Sequence, residues 1–267
     1  MLWEEIINKS KERGEEVHQV FREEIQKAVL ASLSHKGVFN HIVFQGGTAL
    51  RLFYGNLRLS EDLDFVLREE GKKFDLTKDT QKIKNFLKKS FPFIDEVRVD
   101  VQKNDSEMQR LILVTSSVIA EQRIRIHLEL AYIPSHFNKP RILEYPSLNP
   151  VIRVEEAEEI LADKIVAIVN RPYIKGRDIW DVYFLVEEKN IVPIHNLIMQ
   201  KAADYSIEPA NLTEKIDKAC EKLRKKGLTI LTNEMLRFLP KTAFDQYKEH
   251  FDAIVNRVID EIGKVNL

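Results

Sequence analysis

The sequence predicts an α+β fold in which a mixed sheet flanked by helices is followed by a helical C-terminal lobe. Three observations carry this expectation. Between residues 94 and 132 apolar and polar residues alternate, the period of strands with one buried face. Beyond residue 155 apolar positions recur three and four residues apart, the period of helices. Within 41–65 an apolar run ends in paired glycines and a helical segment, then resumes as a second apolar run that contains Asp-x-Asp.

Taken in order, residues 2–34 read as two helices, followed by a strand near 41–45, a helix over 48–54, a strand over 62–67 and a helix near 77–90. Strands follow near 94–102, 108–115 and 122–132, with Ser116 to Glu121 joining the last two as a hairpin. Pro134, Pro140, Pro146 and Pro150 make 134–150 read as an irregular connector, and a domain boundary is expected there. Residues 1–140 then form the sheet-bearing core with its N-terminal helices, and 141–267 the helical lobe that completes the active site. No internal repeat or low-complexity tract interrupts this order.

Lys and Arg number 41 against 42 Asp and Glu, a formal charge of −1, so no global field attracts nucleic acid and any RNA contact is a local patch. At 267 residues the chain can bury a sizeable core. Cys220 is the single cysteine, which excludes an internal disulfide. The N-terminus lacks the apolar stretch of a signal peptide, and no window approaches the roughly 18 apolar residues of a membrane span, so a cytoplasmic protein is expected.

The chemistry concentrates in residues 44–65. Only residues without a Cβ let backbone N–H groups close tightly on a ligand, and the helix that follows turns its positive dipole end toward anions. Gly46 and Gly47 suit that turn. Thr48 supplies a hydroxyl at the helix start, for a cap or for a phosphate oxygen. In a strand, residues two apart share a face, so Asp62 and Asp64 point together while Leu63 and Phe65 enter the core. Paired carboxylates suit hard divalent cations such as Mg²⁺ or Mn²⁺, which in two-metal sites stabilise the attacking and leaving oxygens of phosphoryl transfer.

Other segments carry further candidates. In 122–132 the alternation puts Arg125, His127 and Glu129 on the polar face, where Glu129 serves the site or pairs with a cross-strand cation. The helical run 155–170 is apolar nearly all round at its centre, so Lys164 within it needs a carboxylate or an anionic ligand. In 175–185 Gly176 precedes a helix for which Asp178 and Asp181 are either caps or active-site acids, beside the basic residues Arg171, Lys175 and Arg177. Trp180 is assigned to the core. The cations of 215–226 form either an RNA-binding face or a solvated helix surface, and Cys220 among them reads as a small buried residue.

The stretch Gly46-Gly47-Thr48-Ala49-Leu50, then Tyr54-Gly55, Arg58, Ser60 and Asp62-Leu63-Asp64-Phe65, resembles the signature of the DNA-polymerase-β-type nucleotidyltransferase superfamily. Within it the chain resembles the AbiEii-type nucleotidyltransferase toxins, and Arg177-Asp178-x-x-Asp181-Val182 is similar to that family's Arg-Asp-x-x-Asp-Leu motif, with valine in place of leucine. The resemblance covers roughly 40–190 well. It implies a nucleotidyltransferase-fold sheet in which Asp62, Asp64 and Glu129 serve metal binding and catalysis, with Glu129 as ligand or base, and in which Lys164 and Asp178 join the nucleotide site. Gly46, Gly47 and Thr48 would cradle phosphates, with Arg58, Arg177, Ser60 and Asp181 as further substrate contacts. It also implies transfer of a nucleoside monophosphate from an NTP to an RNA hydroxyl, typically at a tRNA 3′ end, by a toxin with a partner antitoxin. A catalytically silent binding module and a metal-dependent phosphodiesterase or nuclease are the alternatives.

Overall fold

The computed structural model describes residues 1–266. Packing divides them into two units, one made of 1–53 with 60–155, the other of 54–59 with the chain from 156 onward.

The first unit is built on a seven-stranded mixed sheet. Two N-terminal helices, α1 (Trp3–Arg13) and α2 (Val17–Ser34), precede β1 (Ile42–Gln45), α3 (Gly46–Tyr54) and β2 (Leu63–Leu67). Then come α4 (Thr80–Ser90), the meander β3 (Glu96–Asn104), β4 (Met108–Ser117) and β5 (Gln122–Pro134), and finally β6 (Asn138–Ile142) and β7 (Val151–Glu155). The spatial order is β3-β4-β5-β2-β1-β7-β6, with β2–β5 and β1–β7 parallel and the other pairs antiparallel. Alternation along β5 does what its sequence demands. Ile124, Ile126, Leu128 and Leu130 are buried, while Arg125 is exposed and His127 and Glu129 are half-buried on the opposite face.

Helix α2 is buried along most of its length and packs against β5 and β7. Aromatic residues fill the remaining space in two groups. Trp3, Phe21, Phe91 and Phe93 contact one another under α1 and α2, and Phe44 meets Phe53 and Phe65 beneath α3. Arg51 fastens α3 to the N-terminal helices through Glu23 Oε2 and Glu15 Oε1, each at 2.6 Å. Burial raises the pKa of Glu23, but Arg13, Arg51 and Lys27 outweigh it and hold the carboxyl well below the usual range.

The second unit is helical. The segment 54–59 is followed by α5 (Ala157–Asn170), α6 (Gly176–Tyr183) with a π turn at 184–188, α7 (His195–Asp204), the long α8 (Pro209–Phe238), α9 (Lys241–Tyr247) and α10 (Phe251–Gly263). Gly176 lets α6 lie directly on α8, since a Cβ there would sit 2.7 Å from the Ile230 carbonyl. The Leu59 N–H donates to the Phe238 carbonyl at 2.7 Å, which ties 54–59 to the end of α8. No helix among the described residues is long and apolar enough to cross a membrane.

The mixed sheet, its flanking helices and the helical C-terminal part match the α+β expectation. The connector expected at 134–150 is different. Residues 138–142 and 151–155 are strands, and Pro140 is tolerated because β6 is the edge strand, where a missing N–H leaves no ladder bond unmade. The helix expected from 48 begins at Gly46, and β2 starts at Leu63, so Ser60 and Asp62 precede the strand.

Candidate active site

Strand pairing assembles the acidic face of the first unit. Antiparallel β1 and β2 place Gln45 opposite Asp64, so Asp64 arrives beside Gly46, the residue at which β1 turns into α3. Gly46 takes φ +79°, a left-handed conformation costly to any residue with a Cβ. A Cβ there would also stand 2.7 Å from Asp64 Oδ2. The glycine is thus required twice, by its own backbone and by the carboxylate packed over it. Parallel β2 and β5 then bring Asp64 level with Glu129 on the same face.

Asp62, just before β2, is held from two sides. Its carbonyl accepts the Thr48 hydroxyl at 2.5 Å, and its Oδ1 lies 2.9 Å from His127 Nδ1 while accepting the His127 N–H at 3.3 Å. Thr48 is fully buried and its hydroxyl is spent on this bond, which fastens the start of α3 to the approach of β2. Glu129 makes an ion pair with Arg110 at 2.8 Å, its partner across the β4–β5 register. With Asp62 turned to His127 and Glu129 to Arg110, the three carboxylates do not all come within 4.8 Å of one another. What the sheet brings together is Asp62, Asp64, His127 and Glu129 on one face, with Asp64 against the glycine turn. Ser60 lies before this face, where its carbonyl accepts Gln26 Nε2 at 3.1 Å.

The remaining candidates form a separate buried network in the second unit. Arg58, 2% exposed, grips Asp181 with Nε and Nη2 at 2.8 and 2.7 Å, and Asp181 is fully buried. Lys164 Nζ lies 2.9 Å from both Asp178 Oδ1 and Asp181 Oδ2, and Arg171 reaches Asp178 from the other side. Asn56 completes the set. Its Nδ2 donates to Asp181 at 3.0 Å, and its Oδ1 accepts from the Trp180 indole at 2.9 Å and from the Arg58 N–H at 3.1 Å.

The electrostatics of this network are cooperative. Burial alone would raise both aspartate pKa values, but for Asp181 Arg58 and Lys164 outweigh it and hold the carboxyl at about 2. Asp178 is likewise held low by Lys164 and Arg171. Burial would lower Lys164, and the two aspartates push its pKa above the ordinary lysine range instead. Three cations face two carboxylates, so one positive charge stands in excess.

Helix α6 begins at Gly176 with Lys175 as its N-cap, so Asp178 lies in the first turn and caps nothing with its side chain. Arg177 lies 3.3 Å from Glu234 and over the Phe238 ring. Trp180 is buried, as its apolar setting predicts. Two partners were not legible in sequence. Asn56 carries no pattern that marks it, and Arg110 is visible only once the β4–β5 register is known.

Comparison with known proteins bears on what this arrangement is for. A crystal structure of JHP933 from Helicobacter pylori shares 18% identity and superposes with a TM-score of 0.57, covering 93% of this chain and 94% of that one. A second H. pylori structure, described provisionally as a nucleotidyltransferase, gives 18% identity and a TM-score of 0.56 over 92% and 96% of the two chains. At that identity the likeness speaks for the fold. No curated protein matches the sequence. The family model described as nucleotidyl transferase AbiEii toxin, type IV TA system, matches residues 28–257, most of both units. With the glycine turn, Asp62, Asp64 and the Asp178/Asp181 motif inside the matched span, this chain is a nucleotidyltransferase and belongs to the AbiEii toxin family of type IV toxin–antitoxin systems.

Proposed function

We propose that the chain transfers a nucleoside monophosphate from an NTP to a hydroxyl of an RNA acceptor, the 3′ end of a tRNA, as the toxin of a toxin–antitoxin pair in the cytoplasm. The carrying observation is Asp64 packed over Gly46, with Asp62 beside it on the same side of the sheet. That donor set, two carboxylates next to a glycine cradle, fits a hard divalent cation, Mg²⁺ or Mn²⁺. When bound, such an ion would neutralise phosphate charge and lower the barrier for the attacking oxygen.

The protein's own groups divide the remaining work. His127 fixes Oδ1 of Asp62 and thereby orients Oδ2. Glu129 is the third acid of the face, as metal ligand or as the base for the acceptor hydroxyl. Gly46 and Gly47, at the positive end of α3, hold the β- and γ-phosphates through backbone N–H groups. The acceptor oxygen bonds to the α-phosphorus, the bond from that phosphorus to the bridging oxygen breaks, and pyrophosphate departs with the electron pair. Lys164, which the family resemblance assigns to the nucleotide, would exchange one aspartate for a phosphate oxygen, with Asp178 retained by Arg171. Arg58 and Asp181 support this lysine through the contacts already described, while Arg177, held by Glu234 and the Phe238 ring, would be a separate phosphate contact.

The test incubates the protein with total RNA and each labelled NTP in Mg²⁺ or Mn²⁺. Label on tRNA-sized RNA, lost in Asp62→Ala and Asp64→Asn, is the expected result. RNA that is cut without being labelled would reassign the site to a nuclease, and equal labelling by Asp64→Asn would remove the site from this face.

A further inference from the structure

A second cationic feature lies in the helical unit and shares only Arg171 with the chemistry above. The end of α5, the turn after it and the first half of α8 enclose a groove of about 260 Å³. Arg171, Lys215, Lys218 and Lys222 line it against one carboxylate, Glu214, a surplus of three positive charges in a chain whose net charge is −1. Glu214 is given over to Lys218 at the exposed rim, and Arg171 to Asp178.

The other two lysines make no salt bridge among the described residues, although Glu214 lies near enough to Lys215 to feel its charge. Lys215 Nζ donates to Asn170 Oδ1 at 3.0 Å and Lys222 Nζ to the Pro172 carbonyl at 3.4 Å, so neutral oxygens orient both ammonium groups and no ion pair ties either one down. One turn further along the same helix Lys225 does pair, with Glu221. Lys215, Lys218 and Lys222 follow at three and then four residues, which puts them on one helix face along about 10 Å. A row of that length fits a run of phosphodiesters better than one small anion. The lining has no aromatic side chain, whereas protein interfaces favour aromatic residues and are poor in lysine.

We infer that this groove binds the phosphate backbone of a nucleic acid and holds the RNA acceptor to the helical unit. The inference rests on the RNA-acceptor reading of the transfer reaction. It predicts binding that is sequence-independent and salt-sensitive. The probe is fluorescent total tRNA, titrated by anisotropy against wild type, the double variant Lys215→Gln/Lys222→Gln and the single variant Lys225→Gln, at several salt concentrations. Lys222 is exposed and Lys215 half-buried, and melting curves confirm that each variant is folded.

The double variant should bind at least tenfold more weakly, with a plot of log affinity against log salt shallower by about 1.4–1.8, two contacts at roughly 0.7 each for single strands to 0.9 for duplex. Lys225→Gln should leave affinity and slope as in wild type. Equal losses in the two variants, or no loss in the double variant, would overturn the groove while the labelling assay on wild type still decides the acceptor. Wild type that binds no tRNA yet labels it would likewise refute only the groove, and absence of both would remove the RNA reading as well. Displacement of tRNA by polyglutamate at matched charge would reassign the groove to an acidic protein partner.

Discussion

Replacing Gly46 by alanine isolates the contact on which the site is built. The new Cβ is forced into a left-handed backbone, at a cost of about 1–2 kcal/mol. It also lands 2.7 Å from Asp64 Oδ2, whereas ordinary contact begins at 3.4 Å, so the carboxylate must retreat by about 0.7 Å or rotate off the turn. Displacement of a reacting group by about 1 Å costs on the order of 100-fold in rate, which puts the expected loss of nucleotidyl transfer between about 10- and 100-fold. Gly14→Ala is the matched control. Its φ of +62° carries similar strain, and nothing lies within 4 Å of the added methyl. Both variants should melt a few degrees lower, by about 2–4 °C per kcal/mol, but only Gly46→Ala should lose transfer in the labelled-NTP assay. If Gly46→Ala transfers within twofold of wild type, or Gly14→Ala loses as much, then Asp64 is not positioned by that turn and the geometric argument fails.

Other perturbations test the buried charges of the helical unit. Asp181→Ala strands Arg58, 2% exposed, and leaves Lys164 with one aspartate, so urea unfolding should show a loss of about 3–5 kcal/mol. Lys201→Ala should cost a similar amount. Lys201 is fully buried with Nζ 3.1 Å from Glu159 and Asp163, and the thermal melt should fall far more than for the exposed Lys218→Ala. Acid stability follows from Asp181. Its folded pKa of about 2 lies below the ordinary 3.8, so the stability it confers, on the order of 2 kcal/mol, is complete above pH 4 and is lost as pH falls through 2. Urea midpoints at pH 5 and pH 3 should converge in Asp181→Asn relative to wild type, and an unchanged gap would show that Asp181 is not the titrating group.

The fold was legible wherever local periodicity and burial agree. The alternation of 122–132 identified β5 and its polar face without any knowledge of its neighbours, because a period of two fixes side-chain direction within a single strand. The prolines at 134–150 misled for a reason the sheet supplies. A proline argues against a strand only where its N–H would be needed, and whether β6 is an edge strand depends on β7 pairing with β1, far away in sequence.

The site shows the same division between local and distant information. Gly46, Asp62 and Asp64 could be read from 44–65 because the turn, the strand and the glycine requirement all lie within one short stretch. Lys164 could be read only as a cation in need of an anion: an apolar helix states that the charge must be compensated but not by which group. The structure answers with Asp178 and Asp181, fourteen and seventeen positions on, and these in turn engage Arg171 and Arg58. In the proposed nucleotide role, a lysine held by two buried carboxylates would yield to a phosphate only if an anion of comparable charge replaced one of them. The excess positive charge of the network would favour that proposed exchange, since Arg58 and Arg171 pair with Asp181 and Asp178 whichever way Lys164 turns.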